Sequence, residues 1–125
     1  MISLKEALEI HEMLLNEFGG KAGIRDKSIL EAALKRPFTG LQEQEFYPSA
    51  EEKAAAVLES IVAGHPFLDG NKRTGYVLMR LFLIQNRFDI AASEEEKYEL
   101  VIGVASGKIK FEGMVAWLKS HVIKL

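Results

Sequence analysis

The 125-residue chain reads as an all-α protein, a compact helical bundle, on three observations. No run of residues alternates convincingly between apolar and polar with period two. A serine followed three positions later by glutamate, the pattern of a capping box, recurs at Ser3/Glu6, Ser49/Glu52 and Ser93/Glu96. Behind those starts the apolar residues return at helical spacing.

The first helix follows Ser3 and stops near Gly19 and Gly20, with Leu4, Leu8, Met13, Leu15 and Phe18 as its expected apolar positions. Asp26 caps a short helix over 29–34, which must end before Pro37. Residues 36–48, RPFTGLQEQEFYP, form the one long irregular segment and suit a loose hairpin or flap. The helix after Ser49 carries Ala54, Val57, Leu58, Ile61 and Val62 as a core stripe and reaches Gly64. Residues 72–87 read as a helix apolar on most sides, the mark of a buried central element. A helix from Ser93 to about Ala105 ends at Gly107, and a last one covers 111–122 with Trp117 on its apolar side.

Length and composition suit one domain, 1–125, with one core: hydrophobic residues make up 48% and charged residues 27%. The net charge of −2 argues against direct, broad nucleic-acid binding. There is no cysteine, so disulfide and thiolate chemistry are out. The N-terminus has acids early and no signal-peptide core, and the longest apolar stretch, near 77–84, is broken by Arg80 and too short for a bilayer. A cytoplasmic protein with no membrane partner is expected.

Chemistry concentrates in HPFLDGNKRTGY, residues 65–76. It joins the end of one helix to the start of another, where free backbone N–H groups and the helix dipole favour an anion. Asp69-Gly70-Asn71 is turn chemistry that can aim N–H groups into an anion nest. Lys72 and Arg73 oppose the dipole on the first turn, a cost that a bound anion would offset. Asp69 can supply a carboxylate to magnesium, which commonly takes one or two carboxylates plus phosphate oxygens. A histidine such as His65 can take a hydroxyl proton. Taken singly, each residue has a plainer role as cap, turn or solvated surface. Together, in this order, they are the parts of phosphoryl or nucleotidyl transfer. Phe67 reads as a structural anchor of the loop, and Pro66 as a stiffener. His11 and His121 have no ligand-like neighbours, and neither a zinc site nor a G-x-S-x-G hydrolase elbow is expected.

His65-Pro66-Phe67-Leu68-Asp69-Gly70-Asn71-Lys72-Arg73 resembles the motif of the Fic/Doc family in its Doc, or death-on-curing, form. The short chain, the Gly19-Gly20 pair, the flap and GVASGKI before the last helix extend the resemblance over nearly the whole length. It implies that His65 activates a target hydroxyl, that Asp69 binds Mg²⁺, that Gly70 and Asn71 form the anion nest, and that Arg73 holds phosphates. ATP is the implied co-substrate. The flap near 36–47 resembles the segment that docks the target peptide by backbone pairing.

Lys72 separates two chemistries. In Fic-type adenylyl transferases its position is glycine, and a second arginine follows three residues after the first. Here that later position is Tyr76, and Arg80, seven residues after Arg73, lies about 10 Å from it along the helix. The Doc-like arrangement implies transfer of the terminal phosphate of ATP to a threonine of elongation factor Tu, by a toxin that halts translation. The alternatives are AMP transfer to a protein hydroxyl, or a weakly active relic that only binds antitoxin. The self-inhibitory pattern of many Fic proteins fails here, since Lys108 stands four residues before Glu112-Gly113. Restraint in trans by a Phd-like antitoxin is therefore implied.

Overall fold

The computed structural model describes residues 1–125. Six helices carry the fold: α1 (Leu4–Phe18), α2 (Lys27–Lys35), α3 (Ala50–Gly64), α4 (Asn71–Gln85), α5 (Glu94–Ala105) and α6 (Phe111–His121). All three capping boxes form, at Ser3, Ser49 and Ser93. The Asp26 carboxylate accepts from the N–H groups of Ser28 and Ile29 at the start of α2. No helix is long and apolar enough to cross a membrane. The all-α expectation holds, with two small antiparallel sheets added.

The flap is a real hairpin, β1 (Gly40–Leu41) on β2 (Gln44–Glu45), with Gly40 opposite Glu45. A 3₁₀ turn, Arg36–Phe38, leads into it. A side chain at Gly40 would run into the Gln44 carbonyl, so the hairpin closes only with glycine there. The second sheet pairs β3 (Phe88–Ile90) with β4 (Val122–Lys124) and was not expected from the sequence. Three-residue strands are too short to display an alternation. The last helix consequently stops at His121, and Val122 opens β4.

Helices α3 and α4 form the centre and make the most extensive contact in the molecule. Gly75 lets them approach: a Cβ there would lie 2.9 Å from the Val62 side chain. Leu58, Ile61, Leu78, Met79, Phe82 and Leu83 are fully buried at this centre. Around it α1, α2, α5 and α6 add Ala7, Leu30, Leu100, Met114 and Leu118 to one continuous core.

The buried face of α1 departs from the expected one. Met13 and Phe18 are 57% and 54% exposed, while Ala7, His11 and Leu14 are buried, with Leu4 and Leu8 beside them. The spacing 7, 11, 14 is one helical face, and a histidine occupies its middle.

Candidate functional site

The loop His65–Gly70 turns the chain from α3 back into α4. His65 is the C-cap of α3 in the left-handed region, φ 50° and ψ 58°, and its N–H still closes the helix onto the Ile61 carbonyl. The His65 imidazole is exposed and has no hydrogen-bond partner in the protein. Residues 23–26 lie alongside the loop as a strap. Ile24 pairs with Phe67 in an antiparallel bridge, and Leu68 N–H donates to the Gly23 carbonyl at 3.1 Å. The Pro66 carbonyl accepts from both Arg25 N–H and Asp26 N–H, at 2.7 and 2.9 Å.

Phe67 is buried and stacks on the His11 ring, 3.7 Å between centroids and 6° from parallel. The same imidazole reaches the Asp69 carbonyl through Nε2 at 2.8 Å, and this bond makes Nε2–H the donor. His11 therefore supports the loop from beneath through one face and one edge of its ring. Its sequence neighbours gave no ligand pattern because its partners lie 56 and 58 residues away.

The Asp69 carboxylate accepts from Lys21 N–H at 3.1 Å and from Gly70 N–H at 2.9 Å. These backbone donors, Lys21 first, hold it below the usual carboxylate range, with smaller help from the charges of Arg73 and His11. It is ionised at neutral pH. Each oxygen has one N–H donor and keeps further acceptor capacity.

Asn71 is buried, and its side chain is committed to the loop: Oδ1 accepts from Phe67 N–H and Nδ2 donates to the Phe67 carbonyl. Gly70 N–H is likewise turned to Asp69. What an anion would meet is the open start of α4. No side chain caps it, and the first N–H in the helix to find a backbone partner is Thr74, on the Gly70 carbonyl. The N–H groups of Asn71, Lys72 and Arg73 stand free there. Lys72 and Arg73 are exposed beside them, and the Arg73 guanidinium rests over the Phe18 ring at 4.6 Å.

His65, Asp69, Gly70, Asn71, Lys72 and Arg73 all line one cavity of about 680 Å³. Leu14 and Phe18 of α1 form one wall, and Glu94, Lys97, Tyr98, Val101 and Ile102 of α5 the other. One end is thus basic and the rest largely apolar, the character of a site for a charged group attached to a flat or apolar body. The α5 wall has no signature in the sequence, because only the packing brings it opposite the motif. Tyr76 also lines the cavity; burial pushes its phenol up, so it stays neutral. Arg80 faces elsewhere and is bound bidentately by Asp89, at 2.8 and 2.9 Å.

No three histidine or carboxylate side chains come together as a metal cage. Glu94, the other carboxylate of the cavity, is paired with Lys97 at 3.2 Å. A donor set of one ionised carboxylate suits magnesium that arrives with phosphate oxygens and water, and does not suit a resident structural metal.

The hairpin does not line this cavity. Lys53 holds it to the early part of α3 through the Glu45 carboxylate at 2.6 Å and the Tyr47 carbonyl. Twelve residues of helix, on the order of 18 Å, separate Lys53 from His65. A separate groove runs between α2 and α3, with Thr39 at the hairpin end and Ser60, Ala63 and Gly64 along it.

Comparison with known proteins gives a consistent pattern. The sequence model of the Fic/DOC family matches residues 1–83, which include the whole loop and the start of α4. The chain is 40% identical over 75 residues to Toxin Doc of Mycolicibacterium smegmatis, covering 60% of this chain and 58% of that protein. It is 30% identical over 118 residues to Protein kinase doc of Escherichia phage P1, covering 94% of this chain and 92% of that one.

Proposed function

The chain belongs to the Fic/DOC family, and on that premise we propose that it is a Doc-like toxin of a toxin–antitoxin module, acting as an ATP-dependent protein phosphotransferase. The observation that carries this reading is the convergence, on one cavity, of an unpartnered imidazole (His65), an ionised carboxylate (Asp69) and an uncapped helix start flanked by Lys72 and Arg73. The names of the two relatives, a toxin and a protein kinase, point the same way.

In this mechanism the phosphates of ATP lie at the start of α4, against the free N–H groups, Lys72 and Arg73. Asp69 and the phosphate oxygens would hold Mg²⁺, which neutralises charge on the phosphates when bound. His65 takes the proton of the target hydroxyl as its oxygen attacks the terminal phosphorus. The bond from that phosphorus to the bridging oxygen breaks, and ADP leaves with the electron pair. Lys72 supports this outcome over AMP transfer, because its side chain stands where the adenylyl-transferring relatives have glycine, and Arg80 is tied up by Asp89. The target we infer is a threonine of elongation factor Tu, the restraint a Phd-like antitoxin covering the cavity, and the setting the cytoplasm.

Incubation with ATP, Mg²⁺ and elongation factor Tu, followed by the intact mass of the target, tests the reading. A gain of one phosphate is expected. A gain of one AMP would overturn the role of Lys72, and an unchanged mass the choice of target or the activity itself.

A further inference from the structure

We propose that Arg25, which lies outside the motif on the strap, is the positioning residue that sets the direction of the His65 side chain. The proposal rests on the reading of His65 as the proton acceptor. Arg25 Nε donates to the His65 carbonyl at 2.6 Å, and Nη2 donates to the Gly64 carbonyl at 2.7 Å. These two carbonyls belong to the peptide units on either side of the His65 Cα. Peptide units are planar, so fixing the orientation of both fixes φ and ψ of the residue between them. A guanidinium is a rigid fork whose Nε and Nη donors keep a set spacing and direction. One side chain thus locks both torsions of one residue.

His65 needs such a lock. A left-handed conformation is unfavourable for a residue with a Cβ. The residue before a proline is further biased toward extended backbone, and Pro66 follows. At φ 50° and ψ 58°, His65 runs against both preferences. Its imidazole has no partner that would hold it in the cavity, so its direction follows from the backbone. The Arg25 backbone N–H adds a third bond, to the Pro66 carbonyl at 2.7 Å, so both halves of the residue grip consecutive units of the loop. Asp69, Asn71 and the start of α4 are held separately, by Lys21, His11 and Phe67. Loss of the guanidinium should therefore misdirect His65 and leave the phosphate end intact.

The test compares Arg25→Ala and Arg25→Lys with the unaltered protein in phosphate transfer to elongation factor Tu. For Arg25→Ala, kcat should fall about a hundredfold, the scale of misplacing a reacting group by an ångström. KM for ATP should stay within about twofold, because the binding groups are untouched. Arg25→Lys, with a single nitrogen, should not restore kcat, whereas millimolar guanidinium chloride added to Arg25→Ala should restore part of it. Unchanged kcat, or a rise in KM without loss of kcat, would overturn the proposal. If the unaltered protein transfers no phosphate, the activity proposed above fails on its own account. Arg25 is then judged by the ¹³Cα and ¹³Cβ shifts of His65: leaving left-handed values in Arg25→Ala supports the lock, and unchanged shifts refute it.

Discussion

His65 and Asp69 are four positions apart and are held in opposite ways. The His65 side chain is free and its backbone is constrained, whereas the Asp69 carboxylate is itself engaged by two N–H donors. Their variants should differ accordingly. His65→Ala removes no hydrogen bond and little buried surface, so stability should change by no more than about 0.5 kcal/mol while growth arrest is lost. Asp69→Ala should also abolish toxicity, with a lower melting temperature, because Lys21 and Gly70 lose their acceptor. Expression of each variant without antitoxin, with a melt of the purified protein, checks both halves; continued growth arrest by either would contradict its role. His11 is the complementary case. Removing its ring in His11→Ala empties the space under Phe67 and frees the Asp69 carbonyl, at a cost of about 2–4 kcal/mol in urea unfolding. Nothing in the residues around His11 announces this. Position 11 falls on the same helical face as Ala7 and Leu14, and that periodicity was the only signal available.

At the level of elements, α3 and α4 owe their close approach to Gly75. Alanine is the better helix former by about 1 kcal/mol, yet Gly75→Ala should destabilise the protein by about 1–3 kcal/mol, because the new methyl meets Val62 and Ile61. A higher melting temperature in that variant would mean that the two helices separate without penalty. The far end of α4 is tied to β3 by Arg80 and Asp89. Arg80 holds the Asp89 carboxyl down to about 2, from an ordinary 3.8. A depressed folded-state pKa stabilises the protein above the unfolded value. This contribution should therefore be complete above about pH 4 and fade as pH falls toward 2. With Arg80 half exposed, solvent screening reduces it to about 1 kcal/mol. The stability difference between the native protein and Asp89→Asn should be present at pH 6 and vanish near pH 2; a difference independent of pH would refute the pairing. Helix starts were legible because Ser3, Asp26, Ser49 and Ser93 act on N–H groups two or three residues away. The β3–β4 pair was not, since its register joins Phe88 to Lys124 and depends on where α6 stops.

Across the whole molecule, the site is legible to the extent that it is local. The motif runs through consecutive residues, and its members do meet at one cavity. What surrounds them comes from elsewhere in the chain. Arg25 reaches carbonyls 39 and 40 residues away, and the α5 wall, from Glu94 to Ile102, faces the loop only once the helices have packed. The strap has a consequence for how such a site can be silenced. Leu68 N–H ends on Gly23, the Pro66 carbonyl on Arg25 and Asp26, the Asp69 carbonyl on His11, and the Phe67 peptide on Asn71. Opening the loop therefore breaks bonds to α1, to the strap and to α4 at once. The Leu68 amide should exchange with deuterated water nearly as slowly as the amides of central α3, through opening of the entire protein. Exchange as fast as at the tips of the hairpin would show a loop that melts alone. With exchange that slow, local disorder of the loop would be no route to silencing, and a restraint would act by filling the space in front of an assembled site.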